Sequence, residues 1–187
     1  YSIPMRKETY GETERIIGNW FKKTNKRDKV VIATKVCGNT SNKYIRGGGN
    51  NFGKKKISDA LEESLKRLKT DYVDLYQVHR WDTETPIEES MDALYQVIKS
   101  GKARYVGASN MRCWQLAKAQ IVANQQGWKG FVSMQNHYNL LHREDERDLI
   151  PFVKDQGLGL IPWSPLARGR IARAGVDTNK TTREVED

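Results

Sequence analysis

The sequence predicts an α/β protein built on a parallel sheet, and three observations carry that expectation. Short, nearly continuous apolar runs recur along the chain: VVIATK at 30–35, YVDLYQVH at 72–79, ARYVGASN at 103–110, FVSMQN at 131–136 and LGLIPWS at 158–164. Between them lie stretches whose apolar residues repeat at helical spacing, so strands and helices alternate strictly, as βαβ units require. The joints from helix to strand are short and carry a Gly, as in KSGKARY and KDQGLGL, which is how a helix ends before a crossover to a parallel strand.

Taken in order, ETERIIGNWFKK predicts a helix from about Glu12, and the run at 30–35 is the first strand. Ile57, Ala60, Leu61, Leu65 and Leu68 then share one helical face, as do Ile87, Met91, Leu94, Val97 and Ile98 after the second strand. The second of these helices opens on TPIE. There Thr85 is placed to cap, Pro86 suits the first helical position and Glu88 completes a capping box. Leu116, Ala117 and Ile121 form a less regular face after the third strand. Pro151 puts the start of the last helix near itself or kinks it, because its ring removes a backbone donor.

Composition bounds the function. At 187 residues and 37% apolar, below the roughly 45–50% of an average domain, the core must be concentrated in few segments. No stretch approaches the roughly 18 apolar residues of a membrane span, so a soluble protein with no membrane partner is expected. The chain starts at Tyr1 rather than Met, which leaves room for a processed leader. Cys37 and Cys113 have no metal-ligand spacing and no framework of partners; they read as packing residues in a reducing, cytoplasmic compartment. The net charge of +9 and the run KKTNKRDK at 22–29 raise nucleic-acid binding. Basic residues elsewhere are interleaved with Glu and Asp, so the run reads as a solvated outer face and no nucleic-acid partner is expected.

Several common chemistries are excluded by pattern. The loop RGGGNNFGKKK at 46–56 nearly matches a phosphate-cradling loop. Yet Lys55 stands where Ser or Thr should bind magnesium, and Gly48 is 13 residues beyond the strand ending at Lys35. It reads as a flexible loop near the rim of the sheet. No GxGxxG turn and no nucleophile elbow is present, and His79, His137 and His142 do not form a metal-ligand pair on a helix, so no metal is expected. His137 and His142 read as structural or exposed. The carboxyl ends of the strands, where parallel α/β proteins gather their working residues, read differently. They carry Lys35, His79, Ser109 with Asn110, Gln135 with Asn136, and Trp163 with Ser164. Five polar endings on one rim make a candidate site suited to holding a neutral planar group and donating protons to an oxygen.

VVIATK, SLKRLKTDYVDLYQVHRWD, TPIEESMDAL, SGKARYVGASN, VSMQNHYNLL and IPWSPLARG together resemble, in order, segments of the aldo-keto reductase family. The likeness is greatest to its aryl-alcohol dehydrogenase-like branch, which is related to potassium-channel β subunits. The resemblance implies a (β/α)8 TIM barrel with NADPH extended across the carboxyl rim. Residues 1–187 would then be one barrel domain, incomplete at both ends, holding about the third to seventh strands. It implies reduction of an aldehyde or ketone by hydride transfer, with a small carbonyl compound as substrate and a tyrosine as proton donor. Lys35 matches the family's lysine, whose charge favours tyrosinate, and His79 its histidine. Ser109, Asn110 and Gln135 match the groups that hold the carboxamide. Trp163 would stack on the nicotinamide, and Ser164, Leu166 and Gly169 would lie along the pyrophosphate. Trp81 would wall the substrate, with Arg80 paired to Asp82 at the surface. For the tyrosine, YGETE nominates Tyr10, but the spacing in the closest branch favours Tyr1, with Tyr10 as a loop residue. A cofactor-binding regulatory subunit with little turnover is the competing expectation.

Overall fold

The computed structural model of the protein describes residues 6–36 and 53–172. Tyr1, Cys37 and residues 46–52 of the glycine-rich loop lie outside them. Five strands, β1 (Ala33–Val36), β2 (Val73–Val78), β3 (Ala103–Ser109), β4 (Ser133–Gln135) and β5 (Gly159–Leu160), form one sheet in chain order, every neighbouring pair parallel. Five helices accompany them: α1 (Glu12–Thr24), α2 (Lys54–Leu68), α3 (Ile87–Lys99), α4 (Cys113–Gln125) and α5 (Leu149–Asp155). The strict alternation expected from the apolar runs is present. The strands are shorter than those runs.

The alternation of side chains in β2 places Tyr76 and Val78 on the helical side, where they pack with Val106, Ala108 and Met134 against Ile57, Leu61, Met91, Leu94 and Leu116. Each fully buried apolar side chain contributes roughly 1.5–3 kcal/mol. Tyr76 is wholly buried and donates its hydroxyl to the Ile57 carbonyl at 3.0 Å, so the ring costs no unmade hydrogen bond. Helix α1 crosses α2 at Gly18, where a Cβ would lie 2.3 Å from the Arg67 carbonyl oxygen. Only glycine permits that approach. Asn25 and Lys69 end α1 and α2 in left-handed conformations, each returning its N–H to the last turn.

Three local expectations are corrected. The TPIE segment places Pro86, not Thr85, at the N-cap, and the first helical residue is Ile87; the backbone of Pro86 is extended (φ −53°, ψ 136°), so the helix starts one position later. Lys54, Lys55 and Lys56 are the first turn of α2 rather than loop, held by Lys54–Asp92 (3.1 Å) and Lys55–Asp59 (2.7 Å) ion pairs. On α4 the buried face is Leu116, Ala119, Val122 and Ala123, while Ile121 is exposed. The Leu116–Ile121 pairing fails because five residues advance 500°, 140° away from the starting face. Pro151 stands in the first turn of α5, where its missing donor is tolerated.

Candidate active site

Register decides which strand residues meet. Lys35 pairs with Gln77, Gln77 with Gly107, and Ser133 with Gly159, so these residues share one level of the sheet. One level higher, Ser109 pairs with Gln135, and His79 continues β2 by donating its N–H to the Val36 carbonyl at 2.9 Å. Thr34 hydrogen-bonds Glu14 of α1 at 2.6 Å and Val36 enters the sheet–helix core. Lys35, between them, therefore faces the opposite side, the side of Gln77, His79, Ser109 and Gln135.

Burial lowers the Lys35 pKa from the usual lysine value. Burial, then the positive charges of Lys35 and Arg80, lower that of His79 to about 4. The imidazole is consequently neutral at pH 7, able to donate one hydrogen bond and accept another. It sits within the field of a cation, Lys35, at the shared end of β1 and β2.

Asn110 joins three strands. Its backbone is left-handed (φ 49°) and its N–H donates to the Gln135 carbonyl at 3.0 Å. Its side-chain nitrogen donates to Ser109 Oγ (2.9 Å) and to the His79 carbonyl (3.1 Å). Its side-chain oxygen accepts from the Trp163 indole N–H at 2.9 Å. Both amide protons are spent and one lone pair of the oxygen remains. Ser109 is wholly buried.

The segment after β5 completes the rim. His137 and Trp163 pair as a parallel bridge, with their rings stacked at 4.1 Å and 11°. His142 stacks on the other side of His137 at 4.3 Å. Asn139 donates to the Ser164 carbonyl at 3.0 Å while its own side-chain oxygen accepts from Leu141 and His142 N–H groups. Burial, then His142 and Arg168, push the His137 pKa down. Ser164, Ala167 and Arg168 are all left-handed without being glycine; such residues cost on the order of 1 kcal/mol each and gather where a backbone shape is used. Leu166 is exposed and Gly169 closes the turn, its N–H reaching the Leu166 carbonyl at 2.9 Å.

The other residues singled out from the sequence have surroundings of their own. Trp81 lies edge-on to Trp114 at 5.8 Å and packs on the core, beside Ile57, Val78, Met91 and Leu94. It closes the top of the sheet–helix layer. Asp82 is buried rather than at the surface, and its side chain accepts the Glu84 N–H at 2.8 Å. The Tyr10 ring sits 5.2 Å from the Arg67 guanidinium, which is bound to Glu14 and Ser64 on the outer helices. Asn136 turns away from Gln135 and donates to Asp145 at 2.7 Å. Cys113 is half-buried, its thiol pushed up by burial and by Asp148, which suits a packing residue. Among the described residues no helix is long and apolar enough to cross a membrane.

Sequence reasoning passed over Gln77 and Ser133, both buried, with Nε2 of one and Oγ of the other unpartnered. Gly107 lies between them, and a Cβ there would come within 2.6 Å of Ser133 Oγ. The interior of a closed barrel is usually filled by branched apolar residues, so a small polar level under the rim is a departure. Parity along Ser133, Gln135 and His137 was the signal that could have flagged His137.

Comparison with known proteins is decisive at this point. The sequence profile of the Aldo/keto reductase family matches residues 8–187. The chain belongs to the aldo/keto reductase family. It is 43% identical over 194 residues to the versiconal hemiacetal acetate reductase of Aspergillus parasiticus, covering 96% of this chain and 56% of that protein. It is 41% identical over 191 residues to a putative aryl-alcohol dehydrogenase of Schizosaccharomyces pombe (92% and 54%). A putative aryl-alcohol dehydrogenase of Saccharomyces cerevisiae is 43% identical over 178 residues (87% and 52%). The chain thus spans about half the length of the curated relatives it matches. This family folds as a (β/α)8 barrel, and the five parallel strands with their outer helices are part of one.

Proposed function

We propose that the protein reduces an aldehyde or ketone to an alcohol with NADPH, Tyr1 donating the proton. The observation that carries this reading is the register. It brings Lys35, His79, Ser109 and Gln135 to one face of the sheet, with Asn110 tying them to Trp163. The names of the relatives, two of them aryl-alcohol dehydrogenases and one a hemiacetal acetate reductase, favour an aromatic carbonyl compound as substrate.

The rim fits a nicotinamide. The one lone pair left on Asn110 can accept from a carboxamide N–H, and Gln135 offers both a donor and an acceptor beside it. Trp163, 39% exposed and covered by His137 on one face, has room for a ring on the other. Ser164, Leu166 and Gly169, in the left-handed turns, are the residues assigned to the pyrophosphate. NADPH supplies the hydride when bound.

The chain's own residues supply the rest. Neutral His79 donates a hydrogen bond to the carbonyl oxygen and so stabilises charge developing there. Lys35, short of solvent and cationic, lowers the phenol of Tyr1 from about 10 and tunes it as an acid. The position of Tyr10 against Arg67, in the outer helical layer, supports Tyr1 as the donor. Steady-state oxidation of NADPH by the full-length protein with a panel of aryl aldehydes tests the reading. Turnover well above background is expected. Cofactor binding with no turnover on any aldehyde or ketone would instead favour a regulatory subunit.

A further inference from the structure

We propose that His137 is a positioning residue that presets the indole of Trp163 for the cofactor. The inference rests on the nicotinamide reading of the rim. An aromatic side chain on an exposed segment has two torsions to lose, and two independent contacts remove them here. The in-plane hydrogen bond from Nε1 to Asn110 (2.9 Å) sets the direction in which the indole points. The face-to-face contact with His137 (4.1 Å, 11°) sets the tilt of its plane. Neither contact alone does both.

The support behind His137 is itself braced. His142 stacks on its far side at 4.3 Å. Asn139 fixes both ends of the arrangement, binding the His142 N–H through its oxygen and the Ser164 carbonyl through its nitrogen. Asn139 is buried, so these bonds are shielded from water. The result is a three-ring stack, His142, His137 and Trp163, in which Trp163 is an end ring and is 39% exposed. A ring held in this way binds a planar ligand without first losing torsional freedom, which is how preorganisation raises affinity. The stack also dictates that a ligand ring lies parallel to the imidazoles, on the side away from them.

The test uses the full-length protein, with His137→Ala, His137→Phe, Trp163→Ala and the double variant His137→Ala/Trp163→Ala. NADPH dissociation constants come from quenching of tryptophan fluorescence, and for variants lacking Trp163 from the emission of NADPH itself. Near-ultraviolet circular dichroism of the cofactor-free protein reads the stacked indole, and thermal unfolding checks the fold. His137→Ala is expected to weaken NADPH about 3- to 10-fold, the range of one aromatic pair, and to diminish the indole dichroism. It should also lower kcat more than it raises the KM for the aldehyde. His137→Phe, which keeps the stack, should restore both readouts to within about 2-fold. In the Trp163→Ala background, His137→Ala should cost nothing further. An unchanged dissociation constant in folded His137→Ala overturns the proposal while leaving the reductase reading intact. An equal loss with and without Trp163 overturns it in the same way. Failure of the wild type to bind NADPH overturns both.

Discussion

The two ends of the same sheet are built on opposite plans. At the amino end, Asp74 of β2 accepts from Arg27 (2.9 Å) and the Ile32 N–H (2.9 Å) and pairs with Arg104 (3.1 Å). Arg27 also donates to Thr70, Val30 and Tyr72, and the Tyr72 ring lies between the Arg27 and Arg104 guanidiniums at 4.0 and 4.4 Å. Burial alone would raise the Asp74 carboxyl, but the Ile32 N–H and the two arginines outweigh it and hold it below the usual range. At the carboxyl end, burial acts on Lys35 and His79 and both are pushed toward neutrality. Matched charges brace the amino end of the barrel. At the carboxyl end burial opposes the charged forms of Lys35 and His79, a pattern that gathers where side chains react.

The contrast is broken most directly by substitutions that exchange the two behaviours. Lys35→Met in the full-length protein should lower kcat by about 10² to 10⁴, and Tyr1→Phe by a similar factor, the usual worth of a general acid. Both should leave NADPH binding nearly unchanged. Lys35→Met should lower the unfolding free energy less than removal of the Asp74 carboxylate does, because burial opposes the charged form of Lys35. A large loss of stability there would make Lys35 a structural lysine.

Asp74→Ala should do the reverse. It strands two guanidiniums, one of them half-buried, and should destabilise by about 3 kcal/mol, read as a lower urea midpoint with kcat unchanged. A drop in kcat at fixed stability would mean that the two ends are coupled. A smaller effect is expected from pH. The folded pKa of His79 is about 4, below the unfolded value of about 6.5. The unfolded chain therefore binds the extra proton as pH falls from about 6.5 to 4, and stability declines through that window. His79→Gln should flatten this slope, measured as urea midpoints between pH 4.5 and 7.5. The pH profile of wild-type turnover should show no limb near 6.5 from this group. Least of all, Tyr10→Phe should change kcat less than about 2-fold, since its ring lies 5.2 Å from the Arg67 guanidinium in the outer helical layer. Loss of activity in Tyr10→Phe with full activity in Tyr1→Phe would move the proton donor to Tyr10.

Much of this molecule was legible in its sequence. Alternating apolar runs and helical stripes are properties of neighbours two to four residues apart, and they determined the parallel α/β order and most helix faces, while the resemblance to the family lay in the ordered motifs from VVIATK to IPWSPLARG. Parity within a strand likewise determined that Lys35 opposes Thr34, and that Ser133, Gln135 and His137 can share a side. What lies between strands was decided only by the fold. The His137–Trp163 stack joins residues 26 positions apart, the Arg27–Asp74 pair residues 47 apart, and no local pattern encodes either. Trp81 illustrates the same limit. Its place at the end of β2 was readable, but its edge-on contact with Trp114 of α4, 33 residues further along the chain, was not. The first turn of α2 depended on its contact with α3, and the N-cap at Pro86 on the extended backbone of that one residue. Local propensity chooses the elements. Register, ring stacking and charge pairing are choices among distant partners, and only the closed packing of the sheet against its helices makes them.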